Sequence, residues 1–498
     1  MKTLKCASID GIDAVSIDVE STFTKGLPSF SIVGLASTAI QEAKERIKSS
    51  LLTNDFKFPP KRITVNLSPS EIAKKGSQVD LSIALLIALQ ESKIKLDDIY
   101  VFGELGLNGT LKDTKSIFVL ILSLVRQGKL KKVLIPKESI EKISVIPNIE
   151  IYAVSSLEEA IEFFHAQDKS IYKATNKEFR HDFLNINSTK YYFTRDYKLD
   201  FNDIKGQTIA KKAALISAAG NHNILLEGSP GCGKSMIAKR LKYIMPPMNL
   251  EEILDMAKLD SLQAKQPNFI PLRSSLSPHH SSTKASIVGG TQIGEVALSN
   301  HGILFFDELP HFQKSVLEAM REPLEDHEIS ISRVNTKIKY PTKFLFICAQ
   351  NPCPCGNLLS QSKVCRCNEA EIQRYKNKIS DPFLDRIDLS ITMNEVKKDD
   401  TSDVSSEQLH DKVIEVFKIQ KLRGQKELNG KLNDQDIKKY CILDNDAQNL
   451  LDMCIEKFAL SFRAINKVLK VSRTIADIEA SELIRKQHIM EALSYRRR

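Results

Sequence analysis

One short run near the middle of this 498-residue chain constrains its fold most: Gly228-Ser229-Pro230-Gly231-Cys232-Gly233-Lys234-Ser235, which fits G-x-x-x-x-G-K-[ST]. An apolar run at 223–226 precedes it and a helix-forming run at 236–243 follows, the context in which a strand turns through glycines into a helix. The glycines let successive backbone N–H groups face one point, where the helix N-terminus adds positive potential, so a phosphate chain can be cradled there. Lys234 is expected to neutralise the β- and γ-phosphates of ATP. Ser235 is expected to offer its hydroxyl to Mg²⁺, a hard ion that takes oxygen ligands. Such a turn requires a buried parallel sheet behind it, and 203–394 does alternate apolar strands with helical stretches.

Two further strands complete the pattern. The run 303–306 ends in Asp307-Glu308, which delivers two carboxylates to the edge of the sheet where α/β proteins bind ligands. Asp307 is expected to hold Mg²⁺ through water, and Glu308 to orient and deprotonate the attacking water. The run 344–348 leads to Asn351, a polar side chain placed to hydrogen-bond the γ-phosphate or the lytic water. In Asp385-Arg386-Ile387-Asp388-Leu389 an arginine is flanked by acids; spacing alone fits a surface ion pair and a finger reaching a neighbour's phosphate equally well.

Around this centre the chain divides. Residues 1–165 mix β-rich runs (14–19, 29–33, 63–66, 132–135) with helical ones (37–53, 80–90) and read as an α/β or α+β domain. Residues 166–200 are polar, without a sustained apolar period, and read as a linker. The span 201–394 is the expected ATPase core, and 395–498, helical at 446–458 and 462–483, the expected lid.

With the phosphate loop, the motifs Pro278-His279-His280, Val288-Gly289-Gly290, GILFFDELP at 302–310, REPLE at 321–325, NPCPCG at 351–356 and DRIDL at 385–389 make the chain resemble the ComM (YifB) family of magnesium-chelatase-like AAA+ ATPases. GLPSFSIVGL at 26–35, RITVNLSP at 62–69 and VFGEL at 101–105 resemble that family's Lon-protease-like domain. The resemblance spans nearly the whole chain in order. It implies an α/β fold: an AAA+ P-loop ATPase module with a C-terminal helical lid, preceded by a Lon-protease-like α/β domain. It also implies a homo-oligomeric ring, usually a hexamer, that uses ATP and Mg²⁺ to drive branch migration on single-stranded and branched DNA, promoting recombination of incoming DNA during natural transformation. By motif, Arg386 is the arginine finger acting in trans and Arg463 the sensor 2 arginine of the lid, with Arg473 as competitor. The chain departs from the family pattern at Gln350, where methionine is expected, and at Ser380-Asp381-Pro382, where Ser-Gly-Pro is expected.

A Lon-like domain invites a Ser-Lys dyad, and Ser77 and Lys115 are the tempting pair. Aligning Lys75-Gly76 and Gly103-Glu104-Leu105 with the protease segments instead puts the nucleophile position on Gln78 and the lysine position on Ile117, so no peptidase activity is expected.

Of nine cysteines, four crowd between Cys353 and Cys367, which is not the layout of a disulfide framework. Cys353, Cys355, Cys365 and Cys367 form two C-x-C pairs and are expected to bind Zn²⁺ tetrahedrally; the alternative is four reduced cysteines pinning a loop by packing. His279 and His280 have no acid or cysteine at ligand spacing and read as loop residues facing DNA or a subunit interface. The formal charge of +9 permits a polyanionic partner without demanding one. No helix-turn-helix is recognisable, which counts against a transcription regulator, so DNA contact is expected through phosphates. A chelatase-type motor that remodels a protein partner for metal insertion is the nearer alternative. The longest apolar stretches, 83–89 and 117–122, are too short to span a bilayer, and the N-terminus has no signal-like apolar core, so the cytoplasm is the expected location and no membrane contact is foreseen.

Overall fold

The computed structural model describes residues 2–497 except 57, 95, 97, 291, 333–336, 398 and 403. The chain divides into two compact units: residues 1–180 with 254–269, and residues 181–253 with 270–498. Among the described residues no helix is long and apolar enough to cross a membrane.

The first unit is built on an eight-stranded mixed sheet. Lys2–Asp10 and Asp13–Thr24 pair antiparallel in full register, from Lys2 opposite Ser21 to Asp10 opposite Asp13, and Arg62–Ser68 and Ser29–Val33 extend that side. On the other side Tyr100–Val101, Lys132–Pro136 and Glu150–Val154 run parallel. Helix Asp80–Ala88 is buried from Asp80 to Ile87, which is why its sequence is apolar without an amphipathic period. Its Asp80 carboxylate receives Arg46 Nε at 2.9 Å. Burial pushes that carboxyl up to about 6 against the pull of Arg46.

Residues 254–269 lie in the expected ATPase core by sequence yet pack with the first unit. Lys258 Nζ sits 2.7 Å from Asp13 Oδ1, Arg126 pairs with Asp255, and the rings of Phe118 and Phe269 meet edge to face at 5.5 Å.

In the second unit a five-stranded sheet runs Ser275–Leu276, Ile303–Phe306, Leu345–Gln350, Ile224–Gly228, Leu389–Met393, with every neighbour parallel. All strands therefore end at one edge, and their near-continuous burial matches a sheet covered on both faces. The expected linker is largely structured. Lys173–Ala174 joins the first sheet, and Asp182–Ile186 with Thr189–Phe193 forms a hairpin in the second unit that pairs with Met248–Asn249. Asn187 and Ser188 both take positive φ, the two-residue turn that suits strand twist, and Ile186, Tyr192 and Phe193 are its buried residues.

The helices Ser406–Leu422, Asp434–Tyr440, Asn445–Phe458, Phe462–Ile478 and Lys486–Ser494 occupy the expected lid span. Their Val413, Leu451, Val471, Ile475 and Ile489 share one buried cluster with Leu226, Ile303, Ile347 and Ile391 of the sheet, so the helices and the sheet are packed on a common core. Helix Thr208–Gly220 is buried at ten positions and packs on both Ser406–Leu422 and Phe462–Ile478, which fuses the two layers.

Candidate nucleotide site

Strand Ile224–Gly228 ends at the phosphate loop, and helix Lys234–Leu241 begins after Gly233, whose φ of 98° only glycine adopts without strain. The loop closes on its own lysine: Lys234 Nζ donates to the carbonyls of Gly228 at 2.6 Å and Ser229 at 3.0 Å, and to Asn351 Oδ1 at 3.2 Å. Ser235 Oγ donates to Asp307 Oδ2 at 2.9 Å. Two strands thus deliver Asp307 and Asn351 to the residues that the phosphate motif supplies, as parallel register demands. The fit to a triphosphate and Mg²⁺ rests on this donor set and on the buried Ser229 hydroxyl, which has no hydrogen-bond partner among the described residues.

Glu308 follows in the left-handed region with φ 53°, its N–H donating to Asp307 Oδ1 at 3.0 Å and its side chain exposed. Such a conformation in a non-glycine residue is costly and collects at functional positions. His280 lies beside this carboxylate, Nδ1 3.6 Å from Glu308 Oε2, and its ring stands 4.2 Å from His279 and 5.8 Å from His311. Sequence reasoning missed this because strand Ser275–Leu276, which aims the pair at the same edge, is two residues long. Gln350, the departure from the family pattern, donates to Glu227 Oε2 at 3.3 Å on the neighbouring strand.

The arginines lie elsewhere. Asn223 Nδ2 donates to the carbonyl of Arg386 at 2.9 Å, and Leu389 pairs with Ile224, so Arg386 sits where these strands begin. Five residues of strand separate that edge from the phosphate loop, about 15 Å. There one carboxylate, Glu325, receives both Arg386 and Arg463, and Arg386 Nε is buried without a partner among the described residues. Arg473, the competitor for the lid position, is fully buried, donates to Asp477 at 3.1 Å and to the carbonyls of Glu482 and Ser481, and faces no part of this edge. Asp477 also holds Arg423 at 2.8 Å and Asn429 at 2.7 Å, so Arg473 belongs to a buried structural network.

The ligand sulfurs of Cys353, Cys355, Cys365 and Cys367 all lie within 4.8 Å of one another. Cys353 and Cys355 are 3.5 Å apart, and each is 3.7 Å from Cys365. Disulfide sulfurs lie about 2.05 Å apart, whereas a tetrahedron with Zn–S of about 2.3 Å places its sulfurs about 3.8 Å apart. The spacing therefore fits one tetrahedral ion. Backbone N–H groups of Arg366 and Asn357 aimed at Cys355 lower its thiol to about 6.

In the first unit the Ser77 hydroxyl donates to Glu104. Gln78, at the expected nucleophile position, is buried, donates to the carbonyls of Ala7 at 3.1 Å and Lys75 at 2.8 Å, and accepts from Ser116 at 3.3 Å. Ile117, next in the chain to Ser116, is fully buried.

Family models agree with this architecture: the one described as magnesium chelatase, subunit ChlI, matches residues 200–401, that for subunit ChlI of Mg-chelatase matches 19–139, and that for the ChlI C-terminal region matches 403–496. The chain is 36% identical to competence protein ComM of Haemophilus influenzae, over 98% of this chain and 95% of that protein. It is 35% identical to YifB of Salmonella typhimurium and 34% identical to YifB of Escherichia coli, each over 98% of this chain and 95% of the relative. On a phosphate-loop sheet and a full-length likeness of this extent, the chain belongs to the ComM/YifB family of magnesium-chelatase-like AAA+ ATPases.

Proposed function

We propose that this chain is an ATP-driven DNA motor that promotes branch migration and so the recombination of incoming DNA during natural transformation. The family implies ATPase activity with ATP and Mg²⁺. The observation that carries the reading is the convergence at one sheet edge of Lys234 with Asn351 and of Ser235 with Asp307, beside the exposed Glu308. In this reading Gly228, Ser229, Pro230, Gly231, Cys232 and Gly233 cradle the phosphates, Lys234 neutralises them, and Ser235 and Asp307 hold Mg²⁺. Glu308 takes the proton of the attacking water and Asn351 orients the γ-phosphate. Arg386 and Arg463, held by Glu325 about 15 Å from their own loop, serve the nucleotide of an adjacent copy in a ring, with a hexamer as the expected assembly. The four cysteines hold Zn²⁺, and residues 1–165 act as a scaffold or DNA-handling domain without peptidase activity, working in the cytoplasm.

The Haemophilus influenzae relative is named as a competence protein, which supports DNA as the substrate. A labelled four-way junction tests this: ATP-dependent conversion to branch-migrated duplexes by the wild type, lost in Glu308→Gln, is expected. Binding should fall steeply with salt and depend little on base sequence, since phosphate contacts drive it. The match to magnesium chelatase models favours a second reading, a motor that remodels a protein partner for metal insertion. ATP turnover indifferent to every DNA structure would favour that reading instead.

A further inference from the structure

The turn that carries the first cysteine pair touches the phosphate loop at two points. Asn351, two residues before Cys353, accepts from Lys234 Nζ at 3.2 Å. Gly356, directly after Cys355, packs on Pro230: a Cβ added there would lie 2.6 Å from Pro230 Cδ and 2.8 Å from Cγ. Gly356 has φ 79°, and its N–H donates to the carbonyl of Cys353 at 3.0 Å, so the turn is tight and its glycine is required by both conformation and space. The two cysteines of this turn stand 3.5 Å apart, and each lies 3.7 Å from Cys365 across the loop. A metal ion at their centre therefore fixes the stretch between the two contacts, and what fixes that stretch fixes Lys234 and Pro230.

We infer that the four-cysteine metal knot is a positioning element for the nucleotide site, with Gly356 and Asn351 transmitting metal occupancy to the phosphate loop and nucleotide occupancy back to the metal. The inference rests on the zinc and ATP readings above. Coupling of two binding events is reciprocal: if the metal tightens nucleotide binding, nucleotide must retain the metal by the same factor. A cluster that merely braced a distant loop would show neither effect. Gly356 is a positioning residue, since it acts through Pro230.

The experiment uses the full chain purified without chelator. Metal analysis should return about one zinc per chain. Zinc release to the chromogenic chelator 4-(2-pyridylazo)resorcinol is then timed with and without ATP, and binding of a fluorescent ATP analogue is measured on wild type and Gly356→Ala. Release should slow about tenfold when ATP is bound, and Gly356→Ala should keep its zinc while binding nucleotide about tenfold more weakly. Adding Pro230→Ala to Gly356→Ala removes the ring that the new methyl strikes and should recover part of that affinity.

Zinc release in the wild type that is indifferent to bound ATP overturns the inference even if Gly356→Ala does not fold, and so does unaltered nucleotide affinity in a folded Gly356→Ala. Absence of zinc from fresh protein overturns it together with the zinc reading, while the nucleotide reading stands. Failure of the wild type to bind the analogue overturns it together with the nucleotide reading.

Discussion

Arg386→Ala separates a residue that serves its own phosphate loop from one that serves a neighbour's. Arg386 stands at the start of strand Leu389–Met393, and the loop begins at the opposite end of the adjacent parallel strand, about 15 Å away. A unit charge at that distance contributes about 1 kcal/mol at an effective dielectric near 20, roughly a sixfold effect on rate before salt screening. Direct contact with the transferring phosphate is worth about a thousandfold or more, at least ~4 kcal/mol. The assay is steady-state ATP turnover at saturating nucleotide. Arg386→Ala is expected to bind ATP normally and to lose about a thousandfold in kcat. Mixing it with an equal amount of Lys234→Ala should restore activity, because a live loop then meets a live finger at about one interface in four of a closed ring. A loss below about tenfold, or mixed assemblies as inactive as both parents, would refute the trans assignment.

Arg473→Ala should cost the second unit about 3 kcal/mol in a urea melt by emptying a fully buried position and leaving the carbonyls of Ser481 and Glu482 without their donor, whereas unchanged stability with lost turnover would return Arg473 to the site. Burial holds His222 and His410 neutral, each lowered to about 4. The unfolded chain binds protons below about pH 6.5 that the folded chain refuses, so stability should fall as pH drops from about 6.5 to 4, by up to about 3 kcal/mol per histidine. His410→Gln should flatten that slope, and a pH-independent melting temperature across the window would contradict the assignment. Wild-type protein should leave casein intact; cleavage that disappears in Ser77→Ala would restore a peptidase to the first unit.

The nucleotide edge was legible because its motifs fix backbone geometry. A glycine loop between strand and helix sets the sheet edge, and parallel register then obliges Asp307 and Asn351 to end beside Lys234 and Ser235. What escaped sequence reading depends on contacts remote along the chain. The hairpin Asp182–Ile186 and Thr189–Phe193 buries only Ile186, Tyr192 and Phe193 and shows no sustained alternation of buried and exposed residues, so it reads as linker. Residues 254–269 carry no signal that Asp13 and Phe118 are their partners. The lid span looks separate in composition, yet its apolar faces complete the core begun by the sheet. Arg386 and Arg463 could each be named from motif. That Glu325 of the REPLE motif, some sixty residues before the first of them, is their shared partner could not be read from spacing.

Whether this sheet edge hydrolyses ATP with Glu308 as the base is tested most directly by turnover with retained binding in one substitution. Phosphate release and nucleotide affinity are measured side by side on wild type and Glu308→Gln, with and without branched DNA. The account requires Glu308→Gln to bind ATP as the wild type does and to turn it over at least about a hundredfold more slowly under both conditions. Wild-type turnover in Glu308→Gln would contradict it.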